Sequence, residues 1–236
     1  MVNKPVKKIA FCDFDGTLSK GYISMEFLDY VYGQKVYSEQ SYKKQMKLFS
    51  EVKNGKISYE YWCEKWGEEW GAGLKNQPYD LIKKKAQAFF QEFKSNIYPS
   101  SYQLIKELKE LGYYVITASV GAYEAVKLAA SVLKMDECYA TKLEVKGGIC
   151  TGRLATDIHL PGGKEKALNE IIKIKKVSFK DCIALGDSHS DMEMFHLVST
   201  PIALNPSREL LKIAKKKGIP CFDHDNVLEG IKKVLI

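Results

Sequence analysis

Short apolar runs of strand length recur along the chain, at VKKIAFC (6–12), YYVITAS (113–119), CIALGD (182–187), TPIAL (200–204) and PCF (220–222). Each is followed by a turn and then by a helical pattern. Strands alternating with helices in this way predict a parallel sheet covered by helices. Two of the helices have legible ends. Residues 99–112 and 205–218 each open around Pro-Ser and close on Gly, the residues favoured in the first turn and just past the last.

Between Gly21 and about Asn96 the alternation stops, and one helical pattern follows another with no strand-like run. The stretch is too long for an ordinary crossover and reads as an inserted helical cap, residues 21–96, in a core made of 1–20 and 97–236. Within it Tyr59, Trp62, Trp66 and Trp70 recur at steps of three and four, so they share one helical face. That face either forms the cap's own small core or lends a ring to a substrate cleft. Residues 141–154, TKLEVKGGICTGRL, alternate about Gly147-Gly148 and read as a β-hairpin.

The chain has 236 residues, 45% of them hydrophobic and 28% charged, which suits one main globular domain carrying an insertion. The opening run MVNKPVKKIAF meets an Asp within a few apolar residues and does not read as a signal peptide. No apolar stretch approaches the roughly 20 residues of a membrane span, so no membrane partner is expected. The six cysteines are scattered, without CxxC pairs or zinc-spaced histidines. They read as reduced, mostly buried thiols, which points to the cytoplasm. The formal charge of +7 is spread over lysines whose clusters, at 83–85 and 215–217, sit in helical patterns. This is a solvated surface, and no nucleic-acid partner is expected.

In an open parallel sheet, ligands gather at the carboxyl ends of the strands. The residues there are Asp13, Asp15 and Thr17 after the first run, Thr117 and Ser119 after the second, and Asp187 and Asp191 in GDSHSD after the third. Lys164, in PGGKEKAL, opens the helix before that third run. Four acids at one rim repel each other and need a cation. All-oxygen ligands select a hard one, usually Mg²⁺ when waters and a phosphate complete the shell. The ion, the lysine and backbone N–H groups together suit a dianionic phosphate.

DFDGT, a strand ending in Thr/Ser, a lysine at a helix start and GDxxxD follow one another in this order. Together they closely resemble the phosphatases of the haloacid dehalogenase (HAD) superfamily. LEVKGGICTGRL and TPIALNPSRELLKIAKKKG are similar to segments of its phosphoserine-phosphatase-like subgroup. The resemblance implies an α/β, Rossmann-like doubly wound sheet with an inserted α-helical cap. It also implies Mg²⁺-dependent hydrolysis of a small phosphomonoester through an aspartyl-phosphate. Asp13 matches the nucleophile, and Asp15 the acid that protonates the leaving oxygen and then activates water. Asp13, Asp187 and the Asp15 backbone carbonyl match the metal ligands, and Asp191 a residue behind them that orients metal waters or the lysine. Thr117 and Lys164 match the groups that hold the transferring phosphoryl, with Gly16, Thr17, Ser119 and Ser188 around it.

Some assignments stay open on residues alone. Lys166 lies beside Lys164, but Lys164 has Leu168 four positions on, the helical spacing toward a core. Ser119 either binds phosphate or caps the helix that follows. His189 reads as a solvent-facing or supporting residue, and His159 stands in no motif. The resemblance places a Glu of the phosphoserine enzymes where this chain has Tyr22, and no arginine lies between 21 and 96. Glu26, one helical turn on, is the candidate substitute for that acid. Phosphoserine phosphatase activity is the nearest alternative. A phospho-acceptor receiver-like module is the alternative from another class, disfavoured by Asp15 and the cap. No motif addresses oligomeric state.

Overall fold

In the computed structural model, which describes residues 6–235, the strand β1 (Ile9–Cys12) is fully buried and lies at the centre of the sheet. Four helices follow: α1 (Ile23–Gly33), α2 (Glu39–Lys53), α3 (Tyr59–Gly73) and α4 (Tyr79–Phe93). After α5 (Pro99–Glu110) the chain enters β2 (Tyr114–Ala122), α6 (Tyr123–Val132) and β3 (Glu137–Thr141), then the hairpin β4 (Leu143–Lys146) and β5 (Ile149–Leu154). The rest runs α7 (Gly163–Lys175), β6 (Cys182–Gly186), α8 (Met192–Phe195), β7 (Thr200–Leu204), α9 (Arg208–Lys217), β8 (Cys221–Phe222) and α10 (Val227–Leu235).

Six strands form one parallel sheet in the order β3-β2-β1-β6-β7-β8. Strand side chains alternate between faces, and β1 splits accordingly. Ala10 and Cys12 enter the larger core with α1, α5 and α6, while Ile9 and Phe11 face α7, α8 and α9. This is the helix-covered parallel sheet that the alternation predicts, in the doubly wound form that the resemblance implies. Because β2 and β6 flank β1 and their connections leave in opposite directions, a crevice opens at the carboxyl end of β1.

Two features depart from the pattern. The edge strand β3, ECYAT, has no apolar run to announce it; it forms because the open edge of β2 offers it a ladder. β2 also continues past Ser119 to Ala122, with an irregular register against β3. The α6 N-cap is therefore Ala122, with no side-chain cap bond. Ser119 is not the cap: its Oγ instead accepts the Gly121 N–H at 3.0 Å, while Ser24 Oγ accepts from Ala122 N–H at 3.0 Å.

Serine caps start two of the four helices after β1, Ser38 accepting from Ser41 N–H and Ser58 from Tyr61 N–H. Aromatic packing then ties the helices together, with Trp66 stacked on Trp70 at 5.8 Å and Phe27 against Trp70 at 5.5 Å. The predicted β4–β5 hairpin is present as a separate two-stranded sheet. A lone hairpin is marginal in water, and here the helices support it. Asn76 N–H donates to Cys150 O, Cys150 N–H to Gln77 O and Tyr79 N–H to Gly148 O, each at 2.9 Å. At Gly71 a Cβ would press on the Gly152 carbonyl, so glycine permits this approach.

Where α4, α6 and the hairpin meet, Glu124 is buried, its carboxylate near its own backbone N–H, the Tyr79 phenol and Lys142 but in full hydrogen-bond geometry with none of them. Burial raises its pKa from 4.5 to about 7, against the pull of its own backbone N–H, the Tyr79 phenol and Lys142. The folded state holds this proton more tightly, so the group's stabilising contribution is complete below about pH 4.5 and is lost as pH rises through about 7. Thermal unfolding followed from pH 4 to 8 is expected to show Glu124→Gln losing this pH dependence. The gain over wild type at pH 8 should be on the order of 3 kcal/mol.

Candidate active site

Asp13 continues the line of β1, its N–H donating to Leu185 O at 2.9 Å, and the residue is 6% exposed. Lys164, near the start of α7, places Nζ 2.7 Å from Asp13 Oδ1 and 2.6 Å from Asp191 Oδ1. The α7 start is itself anchored from elsewhere in the chain. The Glu193 carboxylate accepts from Gly162 N–H at 2.8 Å and from Lys164 N–H at 3.1 Å. Lys166 Nζ instead pairs with Asp157 at 2.6 Å on the exposed side of the helix. Of the two lysines, only Lys164 reaches the carboxylates.

Asp191 is fully buried and holds the loop after β6. Its Oδ2 accepts the N–H groups of Asp187 and Ser188, both at 3.0 Å, and the Ser188 hydroxyl at 3.2 Å. Gly186 permits this, because a Cβ there would overlap Asp191. Thr17 Oγ1 donates toward Asp187 Oδ1 at 3.2 Å and lies 3.4 Å from Asp13 Oδ2. Gly16 turns the chain with φ +78°, and a Cβ on it would strike the Asp187 carboxylate. Gly16, Thr17, Asp13 and Asp187 thus form one contiguous cluster from two loops.

Among the described residues, Asp13, Asp187 and Asp191 offer one carboxylate oxygen each within 4.8 Å of one another. Burial raises the Asp13 pKa to about 6, Lys164 opposing the rise and Asp191 adding to it. Burial, then Asp191 and Asp13, push Asp187 well above the usual carboxylate range. Burial acts to lower Lys164, but Asp13 and Asp191 outweigh it and keep the ammonium charged. One ammonium against three carboxylates leaves an excess of negative charge on all-oxygen donors, a composition that suits a hard divalent cation. The Asp15 side chain stands apart from this cluster and accepts Ile23 N–H at 2.8 Å, at the start of α1.

The Thr117 hydroxyl is buried and has no hydrogen-bond partner. A buried unpaired hydroxyl is costly, so a ligand oxygen would satisfy it. Ser119, also buried, accepts from Gly121 N–H, which leaves its own O–H able to donate. His189 is half-exposed, with Nδ1 3.5 Å from Glu60 Oε1 of α3. His159 is buried against Gly67. On the aromatic face all three tryptophans are buried in the core, and Trp62 and Trp66 also line a small crevice with Asp15. Glu193 escaped the sequence reading, because nothing in its neighbourhood marks it as the partner of a helix start 29 residues away.

A family model described as haloacid dehalogenase-like hydrolase matches residues 10–196, and a second with the same description matches 158–235. The phosphoserine phosphatase of Methanocaldococcus jannaschii is 28% identical over 230 residues, spanning 97% of this chain and 98% of the relative. A phosphoserine phosphatase solved as a phospho-aspartyl intermediate analogue superposes with TM-score 0.64 at 26% identity, over 92% of this chain and 93% of that one. A protein of unknown function from Bordetella pertussis Tohama I shares the fold at TM-score 0.76 and 19% identity, over 93% and 99% of the two chains. The chain belongs to the haloacid dehalogenase-like hydrolase family. Within it, the chain is a phosphatase of the phosphoserine-phosphatase-like kind. Among the described residues, no helix is long and apolar enough to cross a membrane.

Replacing Asp191 leaves two backbone N–H groups and the Ser188 hydroxyl without their acceptor and the Lys164 ammonium with Asp13 alone. Asp191→Ala is expected to cost about 3–5 kcal/mol of stability, the range for breaking a buried pair. Denaturant melts of the two proteins measure it, and a loss below about 1 kcal/mol would show that the loop does not depend on this carboxylate.

Proposed function

We propose that the protein hydrolyses a small-molecule phosphomonoester through an aspartyl-phosphate on Asp13, with Mg²⁺ as cofactor. The observation that carries this reading is the Asp13 carboxylate at the end of the central strand, flanked by the Lys164 ammonium at 2.7 Å and the Asp187 cluster. The family membership and the phospho-aspartyl analogue of a related phosphatase support it.

In this mechanism an Asp13 carboxylate oxygen attacks phosphorus, and the bond from phosphorus to the alcohol oxygen breaks. Asp15 gives its proton to that oxygen as the alcohol leaves. Asp15 then takes a proton from water, whose oxygen attacks the aspartyl-phosphate and releases inorganic phosphate. Lys164 and the free Thr117 hydroxyl hold phosphoryl oxygens as charge shifts during transfer. The Thr17 hydroxyl, the Gly16 turn and the loop at Ser188 shape the phosphate pocket, with Ser119 stiffening the end of β2. Asp13 and Asp187, with the Asp15 backbone carbonyl, would hold the ion, and Asp191 keeps Lys164 and the loop in place. When bound, Mg²⁺ supplies the positive charge that offsets the substrate dianion and the clustered acids.

Residues 21–96 serve as the cap over a core of 1–20 and 97–236, since the crevice beside Asp15 is walled by α3 and α1 residues on one side and β2 on the other. Mostly buried free thiols support a reducing, cytoplasmic setting. Phosphoserine phosphatase activity is the second reading, favoured by the full-length likeness to the M. jannaschii enzyme.

Asp13→Asn is expected to lower kcat on p-nitrophenyl phosphate by roughly 10³-fold or more in a variant that remains folded by circular dichroism. A variant retaining more than about a tenth of wild-type kcat refutes the nucleophile. Chelation with EDTA is expected to abolish turnover and added Mg²⁺ to restore it. Calorimetric titration of Asp187→Ala should show weakened Mg²⁺ binding; undiminished activity in EDTA would remove the metal from the mechanism.

A further inference from the structure

On the side of Asp15 away from the acid cluster the site turns aromatic. A crevice of about 20 Å³, room for one water, lies beside Asp15 and between Tyr22, Tyr59, Trp62 and Trp66. Tyr22, Tyr59 and Trp62 also line a wider cleft of about 560 Å³, together with Phe49 and Ile57. The rings meet edge to face, Tyr22 standing 6.0 Å from both Phe49 and Trp62. Trp62 and Trp66 bring a second feature, indole N–H groups that are buried without an acceptor.

The charged groups around this cleft are few and mostly engaged. Lys53 Nζ sits 4.3 Å over the Phe49 ring, and Glu60 faces His189 at 3.5 Å. Glu209, the remaining acid, is exposed. An amino-acid leaving group needs a carboxylate for its ammonium and a forked donor for its carboxylate. Glu26 is turned away, its oxygens 3.1 and 3.4 Å from Asn96 Nδ2. The two arginines of the chain, Arg153 and Arg208, line neither space. A zwitterion placed among these rings would lose water and meet only the rim charges Lys53, Glu60 and Glu209, with no forked donor for its carboxylate.

We propose that the leaving-group site takes an uncharged, ring-bearing alcohol. Its ring packs among Tyr22, Phe49 and Trp62, and an oxygen near the ring accepts from an indole N–H. The substrate class is then a phosphomonoester of a neutral cyclic or aryl-alkyl alcohol, not of an amino acid. This rests on the phosphatase reading above and uses its chemistry. The phosphorus–oxygen bond breaks, the neutral alcohol leaves with the proton, and water supplies the new phosphate oxygen.

Benzyl phosphate, phosphoserine and phosphocholine all release primary alcohols, so comparing them with Mg²⁺ present isolates recognition from leaving-group reactivity. Benzyl phosphate is expected to lead phosphoserine in kcat/KM by about tenfold or more, mostly through KM, the scale of one buried ring face. Tyr22 is 40% exposed, so Tyr22→Glu is compatible with the fold; it should narrow that ratio about tenfold by weakening benzyl phosphate and favouring phosphoserine. Leadership by phosphoserine or phosphocholine, or a ratio unmoved by Tyr22→Glu, overturns this inference alone. Release of phosphate from none of these compounds, nor from p-nitrophenyl phosphate, overturns the phosphatase reading and this inference with it.

Discussion

The structure depends on one buried ammonium. Lys164 lies between Asp13 and Asp191, almost free of solvent, at 2.7 and 2.6 Å. Three carboxylates this close to one another cannot all stay ionised in a dry site without a counter-charge. The lysine supplies part of that charge and leaves room for more. Breaking such a pair costs about 3–5 kcal/mol, against a total stability of about 5–15 kcal/mol for an ordinary domain. The clustered acids and the lysine are therefore structural groups as well as candidate site residues, and the rim of the sheet is organised around them.

Three separate segments must meet for Lys164 to stand there. β1 delivers Asp13 beside β6, which delivers the loop closed by Asp191. α7 delivers the lysine, and its first turn is fixed by Glu193 from the helix beyond β6. Two glycines, Gly16 and Gly186, leave space that any side chain would fill. The parallel sheet brings all these ends to one rim, as open α/β sheets do.

The helical block contributes the opposite wall. It is bonded to the core through the hairpin, along residues 76–79 and 148–150, and touches the loop after β6 through Glu60 and His189. Tyr59, Trp62 and Trp66 line the crevice beside Asp15 while the same stripe packs Trp70 into the interior. One helical face thus serves as core at one end and as cleft at the other, with no change in its sequence period.

Residues close in sequence announced much of this protein. The apolar runs marked five of the six sheet strands, since a strand buried on both faces is apolar at successive positions whatever it neighbours. Asp13, Asp15, Thr117, Asp187 and Asp191 could be gathered in advance because parallel strands put their carboxyl ends together. Lys164 was separable from Lys166 by the turn to Leu168, which is fully buried. What tertiary structure alone decided is the choice of distant partners. β3 became a strand only because β2 had an open edge, and β2 ran on to Ala122 with its last residues bonded to Ser24 and Ser119. Glu193 anchors α7, and Glu26 turns to Asn96 and leaves the cleft to aromatic rings. A carboxylate carries no mark of which of several donors it will meet; packing of elements far apart in the chain sets that distance, and with it the chemistry.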